Sequence, residues 1–198
     1  MKIIGLCGRS GSGKSTASEV FRRFGCGIIN ADEVSRSIMG AGSACLSELC
    51  EHFGSDIIRD DGTLNRRLLA SRAFSDGEKA KLLNAVTHKY IVKEIENRIS
   101  AFDCESVVLD APLLFEAGLQ ERCDAIVGVI APDNLCISRA AQRDGISEEE
   151  AEKRLANQHG NDFLLTYCTH IINNSGTREE LEANAEQVIS EIMGLHNA

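Results

Sequence analysis

Residues 2–7, "KIIGLC", followed by residues 8–15, "GRSGSGKS", decide how this chain folds. The first segment is a short apolar run without strict alternation, the pattern of a strand covered on both faces. The second, Gly8 through Ser15, meets G-x-x-x-x-G-K-[ST] at every specified position. A chance match in a chain of this length is expected about once in a hundred sequences. Glycines let the backbone curl so that its N–H groups point at phosphate oxygens, and the helix that follows presents its positive end. In such a loop Lys14 reaches the β- and γ-phosphates and the Ser15 hydroxyl ligates Mg²⁺. Ala17, Val20, Phe21 and Phe24 then recur at helical spacing, with Gly25 as the stop. A strand, this loop and an amphipathic helix in that order read as a site for a nucleoside triphosphate.

Four more buried strands are predicted outward from this point: Gly27–Ile29, Ser106–Asp110, Asp124–Ile130 and His170–Asn173. Helical patterns separate them, which argues for an α/β fold with a mainly parallel sheet. Ser147 with Glu150, and Thr177 with Glu180, each fit a capping box. Between Asp32 and Glu105 no strand is predicted, yet the apolar spacing stays helical: Leu46, Leu49 and Phe53 in one set, Ile91, Val92, Ile95 and Ile99 in another. "RDDGTLN" is a turn in this interval, with Gly62 at its positive-φ position. The interval reads as a helical insert between strands two and three. A second helical excursion, "SRAAQRDGISEEEAEKRLANQ", lies between strands four and five.

The 198 residues suit one domain, or a core carrying an insert; 43% are hydrophobic and 26% charged, ordinary for a soluble globular chain. No apolar run is long enough for a membrane helix, and "MKIIGLCGRSG" lacks the features of a secretory signal, so a cytoplasmic location is expected. The net charge of −9 works against nucleic acid as a partner. Eight cysteines contain no C-x-x-C and read as small packing residues rather than as a zinc site or a disulfide framework.

A triphosphate site leaves the reaction open. The chain has no N-K-x-D with which to read guanine. A small-molecule kinase needs an acceptor pocket, a base for the acceptor hydroxyl and cations over the transferring group. Arg139 and Arg143, four apart on one helix face, are candidates for those cations, with Arg154 extending the set; the bland reading is a solvated face with Asp144 as partner. Asp110 ends strand three at the ligand-binding edge of the sheet, where it would hold Mg²⁺ directly or through water, or else cap the turn before Pro112. His88 sits in a helical pattern, where a lone histidine is more often packed or solvated than catalytic. In "GIINADEV", Asp32 is either a helix cap or a carboxylate aimed at a reacting hydroxyl. A different small-molecule kinase and a non-catalytic ATP sensor both remain open on these residues.

"GLCGRSGSGKST", "NADEVSR", "FGSDIIRDDGTLNRRLLASRAF", "LDAPLLFEAGL", "SRAAQRD" and "IINNSG" occur in an order and spacing that resemble the dephospho-coenzyme A kinases nearly end to end. The phosphate loop is generic to many kinases; "DGTLNRRLLASRAF" and "PLLFE" are far more specific. The resemblance implies a P-loop NTPase three-layer fold with a five-stranded parallel sheet, a helical substrate-binding insert and a helical lid. It implies a nucleotide-binding core over 1–32 and 104–198, with the lid at about 138–160, and an acceptor-binding insert over 33–103. The implied activity is ATP-dependent phosphorylation of the ribose 3′-hydroxyl of dephospho-coenzyme A, with Mg²⁺ as cofactor and no obligate protein partner. Residue by residue, the resemblance assigns the phosphate loop to Gly11, Ser12, Gly13, Lys14, Ser15 and Thr16, and the catalytic acid to Asp32. It assigns lid arginines to Arg139 and Arg143, an adenine-side segment to Asn174, and acceptor contacts to Arg66 and His88. The chain departs from the family at Asn30, where an acid is usual, and at Lys89, where a proline commonly follows the histidine.

Overall fold

The computed structural model describes residues 1–195. Five strands, β1 (Lys2–Gly8), β2 (Gly27–Asn30), β3 (Ser106–Asp110), β4 (Ala125–Ile130) and β5 (His170–Asn173), form one sheet in the order β2-β3-β1-β4-β5. β1 is central, paired in parallel with β3 (Leu6 opposite Asp110) and with β4 (Cys7 opposite Gly128). β5 extends the sheet in parallel beyond β4. The strands read as unbroken apolar runs because both faces are covered. Helix α1 (Lys14–Arg23) and the C-terminal helix Arg178–Met193 bury Phe21, Val20, Leu181 and Ile189 against Ile4, Leu6, Val127 and Ile172. Phe21 is fully buried, which contributes about 1.5–3 kcal/mol relative to an exposed ring.

The chain divides into two compact units, Met1–Ile29 with the chain from Phe102 onward, and Asn30–Ala101. The sequence puts these boundaries at 32/33 and 103/104. They fall a few residues earlier because α2 (Ala31–Ile38) starts directly after β2 and packs along α5 (Gly77–Ser100). α5 runs 24 residues, about 36 Å at the helical rise. Against it also pack α3 (Ala44–Phe53) and α4 (Arg66–Ala73), and Leu46, Leu49, Ile57 and Ile95 are buried in this unit. The "RDDGTLN" turn forms as expected: Gly62 has φ 81°, and the Asp61 carboxylate accepts from the Thr63 N–H and hydroxyl. Arg72 binds both carboxylate oxygens of Asp56 and the Phe53 carbonyl, tying the last turn of α4 back to the end of α3.

The second excursion comprises α6 (Asp133–Asp144), α7 (Glu148–Ala156) and α8 (Asn161–Tyr167), followed after β5 by α9 (Arg178–Met193). Both capping boxes are present, Ser147 with Glu150 at α7 and Thr177 with Glu180 at α9. Among the described residues no helix is long and apolar enough to cross a membrane.

Candidate active site

The phosphate loop leaves the C-terminal end of β1 and turns into α1 at Gly13, which holds φ 98° at the N-cap. Gly11, at φ 79°, and Gly13 are required twice over. Both occupy the left-handed region, and a Cβ on Gly11 would lie 2.2 Å from the Cys136 carbonyl oxygen while one on Gly13 would lie 2.2 Å from Asn174 Nδ2. The first turn of α1 carries no acidic residue, so its N–H groups and positive end remain suited to an anion. The Ser12 hydroxyl is buried without a hydrogen-bond partner, the condition of a group whose partner is a ligand.

Lys14 Nζ forms an ion pair with Asp110 at the end of β3. The side chains are 14% and 9% exposed, so each charge depends on the other more than in a surface pair. A polyphosphate carries more charge than one carboxylate and can draw Lys14 from Asp110. Asn174, directly after β5, donates from Nδ2 to the Ser12 carbonyl at 2.8 Å and from its backbone N–H to Ile130 at 2.8 Å. Arg139, on α6, reaches the Asn174 carbonyl at 3.5 Å. Gly11, Ser12, Gly13, Lys14, Asp110, Arg139 and Asn174 therefore meet at one edge of the sheet, with Ser15 and Thr16 in the first turn of α1.

Arg143 is not in that set. It binds Asp144 through Nε at 2.7 Å and Nη2 at 3.0 Å, and Arg154 holds the same carboxylate. The Arg143 hydrogen bond, followed by the charges of Arg143 and Arg154, holds the Asp144 carboxyl at about 2. The solvated-face reading with Asp144 as partner thus describes Arg143, and the cluster reading describes Arg139.

In the helical unit, the cap of α2 is Asn30 and not Asp32. The Asn30 side chain accepts from the Asp32 and Glu33 N–H groups at 2.9 and 3.1 Å, and Asp32 lies exposed inside the first turn. The uncharged amide of Asn30 thus serves as the cap. Asp32 therefore keeps its carboxylate uncommitted to capping. Arg66 opens α4 and lines a groove of about 210 Å³ with Ser35, Met39, Leu69, Phe74 and Leu83. His88 is exposed on α5. Its neighbour Lys89 pairs with Glu48 on α3, to which Tyr90 also donates at 2.7 Å. Lys89 first, then Tyr90, lowers the Glu48 carboxyl, and Glu48 pushes the Tyr90 hydroxyl up to about 12.

The profile of the family described as dephospho-CoA kinase matches residues 2–180. A dephospho-CoA kinase of Corynebacterium glutamicum is 38% identical over 200 residues, covering 100% of both chains. A solved structure from Thermus thermophilus superposes with a TM-score of 0.82 at 30% identity, covering 96% of this chain and 97% of its own. The dephospho-CoA kinase of Campylobacter jejuni superposes at 0.72 with 26% identity, covering 99% and 100%. The chain belongs to the dephospho-CoA kinase family.

In this dephospho-CoA kinase family member the phosphate loop is gripped by residues that sequence reasoning missed. Arg9 pairs with Asp133 and donates to the Leu155 carbonyl at 3.2 Å, and Gln158 Oε1 accepts from the Ser10 N–H at 2.9 Å. These contacts join positions about 120 to 150 apart in the chain through side chains, and no period or motif announces them. The "PLLFE" segment folds as a tight turn in which Phe115 meets Phe163 edge-to-face at 5.0 Å and Glu116 faces His159 at 3.5 Å. His159 in turn stacks on Phe163 at 3.6 Å. These contacts dock the post-β3 turn on α8.

Proposed function

We propose that the chain transfers the γ-phosphoryl group of ATP to the ribose 3′-hydroxyl of dephospho-coenzyme A, the last step of coenzyme A biosynthesis. The observation that carries this reading is the Lys14–Asp110 pair beside an unpartnered Ser12 hydroxyl, in a chain of this family. ATP and dephospho-coenzyme A are the substrates. The loop from Gly11 to Thr16 holds the polyphosphate through backbone N–H groups, and Lys14 moves from Asp110 to the β- and γ-oxygens. Asn174 fixes the loop from the adenine side.

Mg²⁺ fits the donors present: the Ser15 hydroxyl and the Asp110 carboxylate, with substrate phosphates and waters, make the kind of sparse oxygen set this ion uses. When bound it would offset the negative charge of the β- and γ-phosphates. Asp32 accepts the proton of the 3′-hydroxyl as that oxygen attacks phosphorus. Such transfer depends mostly on positioning and charge stabilisation, so the placement of the acceptor carboxylate is its main requirement. Arg139 stabilises charge on the transferring group; Arg143 joins it when the lid over about 138–160 closes and Asp144 releases it. The insert over 33–103 binds the acceptor through Arg66 and His88. The setting is the cytoplasm.

The test is turnover of ATP with dephospho-coenzyme A against a panel of nucleosides, sugars and hydroxy acids. Phosphorylation confined to dephospho-coenzyme A is expected. A preference for any other acceptor, or tight ATP binding without turnover, overturns the reading.

A further inference from the structure

The cysteines at the root of the phosphate loop are not independent packing residues. Cys7 is the residue before Gly8, and its Sγ lies 3.7 Å from Cys168 Sγ, between the end of α8 and β5. The two meet over Gly128, which stands opposite Cys7 on β4 and on which a Cβ would lie 2.9 Å from Cys168 Sγ. A side chain at 128 would part the thiols; its absence lets them touch. Cys7 is fully buried, while Cys168 is partly exposed.

We propose that Cys7 and Cys168 form a thiol–disulfide modification site, oxidised by hydrogen peroxide, whose bond distorts the phosphate loop. The Cys168 thiolate attacks the peroxide O–O bond, giving a sulfenic acid and releasing hydroxide, which takes up a proton as water. The Cys7 sulfur then attacks the sulfenic sulfur, the S–O bond breaks, and a second water leaves. Together the two thiols lose two electrons and two protons, and the peroxide is reduced to two waters.

Burial holds back several of the remaining cysteines. Burial pushes Cys26 and Cys45 up to about 11 and Cys123 up to about 12, whereas the hydrogen bond from Cys7 lowers Cys168. The more nucleophilic thiol is also the partly exposed one.

A bond must bring the sulfurs from 3.7 Å to about 2.05 Å. The chain next to Cys7 has no slack to absorb that movement: a Cβ on Gly8 would lie 2.7 Å from both the Val129 carbonyl oxygen and Ser12 Oγ. On the other side, Cys168 leads into β5 and Asn174, which holds the Ser12 carbonyl. The bond would thus pull together the two segments that shape the loop. Disulfides formed against a reducing background are typically transient and redox-sensing, which suits a contact poised beside a substrate site. The pairing stands on geometry alone; its consequence rests on the reading that this loop holds ATP.

The test treats the reduced full-length chain with hydrogen peroxide and follows intact mass, peptide mapping and ATP affinity by calorimetry. A loss of about 2 Da is expected, with a Cys7–Cys168 linked peptide. ATP affinity should fall about tenfold and return with dithiothreitol. Cys168→Ser and Cys7→Ser should each bind ATP as the reduced wild type does and keep that affinity under peroxide. Linkage through other cysteines, or irreversible oxidation without linkage, overturns the site. Linkage with unchanged affinity, or equal loss in Cys168→Ser, overturns its effect on the loop. A reduced chain that does not bind ATP removes the proposed function, while the mass map still decides the pairing.

Discussion

The phosphate loop and the helical unit carry their candidate residues in opposite ways. In the loop, Gly11, Ser12, Gly13 and Lys14 are already engaged: backbone conformations fixed by absent side chains, an amide from Asn174, an ion pair to Asp110. In the helical unit, Asp32, Arg66 and His88 stand exposed on helices whose packing does not need them. A triphosphate is the same in every kinase, so its site can be a rigid feature of the backbone. An acceptor is particular, and its contacts can be side chains displayed on a helical scaffold. Substitutions in the two regions should therefore fail differently, the first through binding of ATP and the second through turnover.

The largest effect is expected at Lys14. Lys14→Ala should lower kcat/KM by about a thousandfold or more and weaken ATP binding with it, measured by steady-state kinetics and calorimetry. It also strands the buried Asp110 charge, so thermal stability of the nucleotide-free protein should fall. Gly13→Ala tests the backbone half of the contrast. Its left-handed φ and the clash with Asn174 should abolish tight ATP binding and cost more than about 1 kcal/mol of stability by denaturant titration.

Arg139 and Arg143 sharpen the comparison within one helix. Arg139→Ala should reduce kcat by about a hundredfold. Arg143→Ala should reduce it less and leave Asp144, whose folded-state carboxyl is held at about 2 against an ordinary 3.8, to Arg154 alone. That depressed value means the pairing contributes above the ordinary carboxylate range and is lost as pH falls toward about 2. Wild type should accordingly be the more stable of the two at neutral pH, with the difference shrinking as pH falls toward about 2. The smallest effect belongs to the helical unit's own scaffold. Asn30→Ala removes a cap and should cost about 1 kcal/mol, while Asn30→Asp should restore it.

The sheet was legible because apolar runs and a fixed loop motif are local signals, and the strands lie within a residue of their expected bounds. Asp32 was open to a cap reading because an acid at a strand-to-helix turn usually caps; the amide two residues earlier takes that place, a shift that local propensity does not distinguish. Arg139 and Arg143 share a spacing but not an environment: Arg143 meets its sequence neighbour Asp144, whereas only the fold brings the Asn174 carbonyl to Arg139. Gln158 on Ser10 and Cys168 on Cys7 are contacts between distant segments, set by topology and invisible to periodicity.

The most direct test of a division between an ATP-holding loop and an acceptor-side acid is Asp32→Asn, assayed in parallel for ATP affinity and for dephospho-coenzyme A turnover. ATP affinity should stay within about twofold of wild type while turnover falls at least about a hundredfold. Near-normal turnover, or loss of ATP binding together with turnover, contradicts that division.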